Sequence, residues 1–106
     1  MSANDWTPEE QEVARRVFDV GNSRSIEVLI ASLRELSQQL DSPESVWKLH
    51  DYLSSQRFEY EGRCVFDESN ALFILADMVK LKLISLEDLQ GLDQVKVGKV
   101  RAMSMF

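Results

Sequence analysis

The sequence predicts an all-α protein, built as a long antiparallel helical stem and a small helical head. Between Ile26 and Leu40, apolar residues recur at alternating steps of three and four, the spacing of one helix face. A threonine–proline and a serine–proline pair each stand where a helix would begin. No two segments alternate convincingly enough to pair as strands. We therefore expect stem helices over about 8–40 and 43–60 and a head over about 68–106, within a single domain of 106 residues.

The first stem helix has a clear start and one weak point. Thr7 offers a capping side chain, Pro8 suits the first helical position, and Glu10 completes a capping box. Gly21-Asn22 is either a break or a tolerated joint. Beyond it lies an apolar seam that predicts packing against another helix: Ile26, Leu29, Leu33, Leu36 and Leu40.

The second stem helix begins at the next proline. Ser42 caps it and Pro43 opens its first turn. Glu61-Gly62 is expected to stop it near Tyr60, and a loop should follow over residues 63–67.

We expect three short helices in the head: one that follows Glu68-Ser69 and ends near Leu81, one over about Leu86–Leu92, and one at the C-terminal end. Ser85 caps the middle one, with Asp88 as its capping-box partner. Residues 95–100 alternate like a strand but also fit a helix. We choose the helix because no partner strand is evident.

The charge of the chain argues against two classes of partner. A net charge of -6 disfavours nucleic acid and anionic membrane surfaces, because both require clustered lysine and arginine. Lys96, Lys99 and Arg101 make the C-terminal end locally basic, and they are most simply a solvated face. No apolar run approaches the roughly 20 residues of a membrane-spanning helix.

The single cysteine, Cys64, excludes an intrachain disulfide and fits a reducing compartment. We expect it to be a small, partly buried thiol. The first residues lack the charged and apolar regions of a secretory signal. Together these features predict a cytoplasmic protein.

The most informative stretch lies in the second stem helix, which carries the only histidine and one of the two tryptophans. Helical spacing places four side chains on one stripe, namely Trp47, His50, Asp51 and Ser54. An apolar seam lies beside it, formed by Val46, Leu49 and Leu53. Either the tryptophan packs within the fold while the polar residues face water, or the stripe binds another protein.

The spacing of Asp51 and Arg57 favours the second interpretation. They are six residues apart, so one helix separates them by about 120° of rotation and about 9 Å of rise, and they cannot pair neatly with each other. In a two-fold antiparallel helix pair centred near Ser54, Asp51 of one copy would face Arg57 of the other, twice. Such pairs would set the register of a homodimer more than its stability.

Candidate groups for catalysis and metal binding are scarce. A catalytic nucleophile needs a base and an orienting group, but His50 and Asp51 are neighbours that point about 100° apart on a helix. One histidine and one cysteine cannot complete a zinc site within one chain. We therefore expect that the protein is not an enzyme and that it binds no cofactor and no metal. A redox or metal enzyme built on Cys64 and His50 remains an open hypothesis, ranked after the two given below.

The same stretch resembles the fluorescence recovery protein family of cyanobacteria. The matching residues are Trp47-Lys48-Leu49-His50-Asp51-Tyr52-Leu53-Ser54 with Arg57, an acidic turn ending in Gly62, and the apolar helix Ala71-Leu72-Phe73-Ile74-Leu75-Ala76. The resemblance covers most of the chain from about residue 8 onward. It implies an all-helical homodimer without a chromophore that binds the photoactivated orange carotenoid protein, mainly through the C-terminal domain of that partner.

The resemblance also implies a function and a set of site residues. Such a protein speeds the return of the red, quenching carotenoid protein to its orange form, which restores phycobilisome fluorescence, and it works in the cytoplasm, at the thylakoid or phycobilisome face through its partner. The residues that match the family's functional cluster near the dimer interface are Trp47, His50, Asp51 and Arg57. Phe73 and Lys99 match partner contacts on the head, although a phenylalanine in an apolar run is more often core. A helical dimerisation adaptor for an unrelated partner is the alternative.

Overall fold

The computed structural model describes residues 5–106, and over these it confirms an all-α fold. The elements in chain order are α1 (Pro8–Ser37), α2 (Pro43–Gly62), α3 (Ala71–Lys80), a 3-10 turn (Leu86–Leu89) and α4 (Gln94–Ser104). Within the described residues the β-type pairing consists of one isolated bridge between Gln90 and Leu92. The interpretation of the first four residues as free of a secretory signal lies outside the described part of the chain.

The start of α1 is the predicted capping box. The Thr7 hydroxyl accepts from the Glu10 amide at 3.1 Å, and the Thr7 amide donates to the Glu10 carboxylate at 3.1 Å. The helix continues through Gly21-Asn22, which is therefore a joint and not a break. It ends at Ser37, short of the predicted residue 40, because the amide of Gln38 turns back to the carbonyls of Glu35 and Leu36.

Gly21, the glycine of that joint, lies where the head packs closely against α1. A Cβ atom at position 21 would lie 2.6 Å from the sulfur of Met78 and 3.3 Å from Cγ2 of Ile84. Real Cβ atoms essentially never come as close as 2.6 Å to a neighbour, so a larger residue at position 21 would force the Met78 side chain to move.

The start of α2 is capped as predicted, and the helix ends two residues later than predicted. The Ser42 hydroxyl accepts from the Ser45 amide at 3.2 Å. The helix runs through Gly62, which does not adopt a left-handed conformation, and Arg63 caps it by donating its amide to Tyr60.

The head differs from prediction in its middle element. The helix expected over about Leu86–Leu92 is present as a shorter 3-10 helix over Leu86–Leu89, with the predicted Ser85–Asp88 capping box. The chain reverses at Gly91, whose φ is 106° and whose added Cβ would meet Val13 at 2.8 Å. The choice of helix over strand for the C-terminal end is confirmed by α4.

The core lies in the head, which includes the first half of α1: this part, predicted to belong to the stem, packs with α3, the 3-10 turn and α4. Its fully buried apolar side chains come from all four elements: Ala14, Ala71, Leu75, Met78, Leu89 and Val100. Beyond Asn22 no residue of α1 is buried, so the second half of α1 leaves the head and projects with α2 as a two-helix arm. No helix among residues 5–106 is both long and apolar enough to span a membrane.

Candidate protein-interaction site on α2 and the head

The arm is only half covered by its own residues. Along α2 the partly buried residues follow one helical stripe: Ser45, Leu49, Tyr52, Gln56 and Tyr60. Leu49 and Tyr52 line an apolar groove of about 270 Å³ together with Leu36, near the end of α1, and Leu40, just after it. Within the described chain, no side chain of α2 is fully buried. A 20-residue helix that buries no side chain completely presents the rest of its surface to solvent or to a partner.

The outward side of α2 is rich in apolar and aromatic surface. Trp47 is 64% exposed and Phe58 is 82% exposed. Val46 and Leu53, from the predicted apolar seam, are also exposed, whereas Leu49 turns towards α1. Contiguous exposed apolar surface on a small domain is typical of an interaction site.

Trp47, His50, Asp51 and Arg57, which we call the α2 cluster, are all on this surface. The rings of Trp47 and His50 meet edge to face, with centroids 6.4 Å apart and planes at 82°. His50 Nδ1 lies 3.2 Å from Asp51 Oδ1. The angular separation expected on a helix therefore does not keep these two side chains apart, and the tryptophan, histidine and carboxylate form one continuous patch.

Arg57 is the outlying member of the α2 cluster. Its Nε donates to the carboxylate of Glu61 one turn further on, at 2.7 Å. Asp51 and Arg57 do not pair within the helix, which agrees with their six-residue spacing. Exposed pairs of this kind contribute about 0.5 kcal/mol, so Arg57 can exchange Glu61 for another carboxylate at little cost.

Both head residues singled out from the sequence are on the surface. Phe73 projects from α3 and is 65% exposed, because the core face of α3 is supplied by its neighbours Ala71, Leu75 and Met78. Lys99 is exposed on α4. The structure therefore makes Phe73 a surface aromatic and not a core residue.

Two features were missed from the sequence. Phe58 lies on the stripe of Trp47, Asp51 and Ser54, at i+11 from Trp47, and that spacing was the signal that could have found it. Lys96 is not part of a solvated basic face, because its side chain is 1% exposed and pairs with Glu10 at 3.1 Å. No local sequence pattern predicts this pair, because its two residues are 86 positions apart in the chain.

Cys64 also differs from prediction, because it is exposed and not partly buried. Its thiol donates to the carbonyl of Tyr60 at 3.2 Å. Hydrogen bonding with this thiol raises the pKa of the Tyr60 phenol above its ordinary value. Among residues 5–106, no three histidine, cysteine or carboxylate side chains come together as a metal site would require.

Comparisons with known proteins identify the family. The family model described as "Photoprotection regulator fluorescence recovery protein" matches residues 6–104. The chain is 29% identical over 99 residues to the fluorescence recovery protein of Synechocystis sp. PCC 6803, covering 93% of this chain and 91% of that protein. The solved structure of the Fremyella diplosiphon fluorescence recovery protein matches with a TM-score of 0.84 and 34% identity, over 96% of this chain and 100% of that one. The solved Synechocystis protein matches with a TM-score of 0.83 and 28% identity, over 96% and 100%.

The matched range, residues 6–104, spans both the arm and the head and includes the positions of the α2 cluster, Phe73 and Lys99. The chain therefore belongs to the fluorescence recovery protein family of photoprotection regulators.

Proposed function

We propose that this protein binds photoactivated orange carotenoid protein, mainly through the C-terminal domain of that partner, and accelerates its return from the red to the orange form. Recovery of phycobilisome fluorescence follows from the loss of the red, quenching form. The observation that carries the proposal is the exposed α2 cluster, together with membership of a family of photoprotection regulators.

The protein acts in this proposal by selective binding and makes no covalent change. A partner can shift or accelerate a conformational change only if it binds one state, or the transition between two, more tightly than the other. Exposed aromatic rings beside a carboxylate and a guanidinium suit this role, because such side chains dominate the energetics of protein interfaces. Phe73 and Lys99 supply a second contact area on the head.

We also propose that the outward face of α2 is covered by a second copy of the chain in the resting state. The apolar side chains Val46 and Leu53 are exposed in one copy. An antiparallel two-fold pair centred near Ser54 covers this face and brings Asp51 of each copy to Arg57 of the other. This assembly uses the carboxylate and the guanidinium that do not meet within one helix.

The test is the dark decay of red orange carotenoid protein, followed by absorbance, with and without substoichiometric amounts of this protein. We expect the decay to accelerate, with several carotenoid proteins converted per dimer. A double variant with Trp47→Ala and Asp51→Ala should remain folded and lose the effect. An unchanged decay across several carotenoid-protein variants would contradict the proposal and favour an adaptor for an unrelated partner.

A further inference from the structure

A buried charged cluster in the head lies outside the site described above. Lys96, in the first turn of α4, has a side chain that is almost completely buried. Its ammonium group donates to both carboxylate oxygens of Glu10 at 3.1 Å and to the backbone carbonyl of Asp5 at 2.6 Å. It also lies 5.0 Å from the ring centroid of Trp6. The three donors of a lysine are therefore all used.

Both oxygens of the Glu10 carboxylate are also hydrogen-bonded. Its two oxygens accept from the backbone amides of Thr7 at 3.1 Å and Asp93 at 2.9 Å, in addition to Lys96. The cluster thus joins three separate parts of the chain: the segment before α1, the first turn of α1 and the first turn of α4.

A buried ion pair with this geometry fixes orientation better than it adds stability. Removing two charges from water is costly, and apolar side chains of similar size often stabilise a core as well. Directional bonds from one ammonium to acceptors on two segments, however, restrict the rotation of α4 about its own axis. That rotation decides which residues of α4 face outward, and Lys99 lies one turn after Lys96.

We propose that Lys96 is a positioning residue, which orients α4 through Glu10 and the Asp5 carbonyl so that Lys99 is presented to the partner beside α3, the helix that carries Phe73. The segment before α1 then helps to hold the head contact in place, through the carbonyl of Asp5. This inference rests on the proposed function, because it concerns how the head contact is held.

The partner-free test is amide hydrogen exchange of the full chain with a Lys96→Met change, which keeps an unbranched side chain, one atom shorter, and removes its charge and donors. We expect faster exchange in α4 and in residues 5–10, with α2 unchanged. Val17→Ala is the matched control, because it destabilises the core of α1 without touching the cluster, and it should not single out α4. Exchange in α4 equal to that of the unmodified protein would overturn the inference.

The functional test is a double-mutant cycle with Lys99→Met, read as the protein concentration that gives half-maximal acceleration of carotenoid-protein recovery. If Lys96 acts by placing Lys99, Lys96→Met should raise that concentration on its own and have little further effect in the Lys99→Met background. If the two substitutions raise that concentration by factors that multiply in the double variant, the positioning role is overturned. If the unmodified protein does not accelerate recovery at all, the proposed function fails, and the exchange experiment alone decides the role of Lys96.

Should Lys96→Met not fold, Glu10→Gln replaces it in both tests. Glutamine keeps one carbonyl oxygen, which can replace the acceptor of Thr7 or that of Asp93 but not both, because these amides bind different oxygens of Glu10, and it removes the charge that Lys96 binds. The same exchange pattern and the same lack of additivity with Lys99→Met are expected, and their absence would overturn the inference.

Discussion

At the scale of single residues, Arg57 is the side chain whose hydrogen-bond partner differs between the single chain and the proposed dimer. In one chain it binds Glu61 on its own helix, at the surface, where the pair contributes little. In the proposed antiparallel pair it instead meets Asp51 of the second copy, and the two-fold axis repeats that contact. A guanidinium that forms hydrogen bonds to a partly desolvated carboxylate fixes the register of two helices far better than a surface pair does.

Arg57→Leu should therefore slow recovery of the carotenoid protein strongly, by about tenfold or more at equal protein concentration. The measurement is the absorbance decay of the red form, on a variant shown by circular dichroism to be folded. Glu61→Gln is the matched control, since it removes the contact within the helix and should leave recovery nearly unchanged. Normal acceleration by a folded, dimeric Arg57→Leu protein would count against this role.

At the scale of elements, the packing of α1 against α3 depends on a single missing methyl group. Ordinarily, replacing a glycine in the interior of a helix by alanine stabilises the helix by about 1 kcal/mol. At Gly21 the added Cβ would press on the sulfur of Met78, whose side chain is fully buried and cannot swing into water. Overpacking of this kind costs about 1–3 kcal/mol, so the clash outweighs the gain.

Gly21→Ala should lower the free energy of unfolding by about 1 kcal/mol and the unfolding temperature by about 5 °C, as measured by thermal denaturation. Gly98→Ala is the control in α4, where nothing lies within 4 Å of the added Cβ, and it should raise stability by up to about 1 kcal/mol. Equal effects of the two substitutions would refute the close approach of Met78 to α1.

The contact between α1 and α4 makes stability depend on pH. Burial of Glu10 raises its pKa, but hydrogen bonds from the Asp93 and Thr7 amides and from Lys96 outweigh burial and lower the pKa below the ordinary value of a glutamate. A carboxyl whose pKa is depressed by folding stabilises the protein fully above its unfolded pKa. That contribution is lost as the pH falls through the folded pKa.

We therefore expect chemical denaturation to show constant stabilisation by Glu10 at neutral pH and a loss that begins below about pH 4.5. In Glu10→Gln the protein should be less stable at neutral pH, and its stability should fall less steeply on acidification. If the unmodified protein and Glu10→Gln lost stability in parallel below pH 4.5, folding would not lower the pKa of Glu10.

At the scale of the whole molecule, the shape is that of a head with a long arm. The extents are 56 × 23 × 21 Å and the radius of gyration is 16.3 Å, against about 13 Å for a compact domain of this length. The excess comes from the second half of α1 and from α2, which leave the core and bury no side chain completely. Only a partner, in our proposal a second copy, can cover that surface.

Leu53→Glu should therefore convert the protein to monomers. A carboxylate at this exposed position of the apolar seam would be desolvated in the pair but costs nothing in a single chain. Light scattering coupled to gel filtration measures the change in mass, and circular dichroism should show retained helix. Val28→Glu on α1, which replaces another exposed apolar residue of the arm, serves as the control. A Leu53→Glu protein that remained dimeric would contradict the proposed interface.

The sequence by itself determined the helices, their caps and the stripe of the α2 cluster, because these are local properties. Thr7, Pro8 and Glu10 cap α1 as their order predicts, and the steps of three and four define the arm. The resemblance of residues 47–57 to the family led to the family that the comparisons establish. Regular spacing within one helix also placed Trp47 beside His50.

Only the tertiary structure decided what each surface faces. It turned the expected helix over 86–92 into a 3-10 turn, because Gly91 must reverse the chain against Val13. It placed Phe73 outside the core and Lys96 inside it, although both residue types suggested the opposite. Burial depends on contacts between residues far apart in the chain, such as Glu10 and Lys96, and no periodicity within a single helix encodes them.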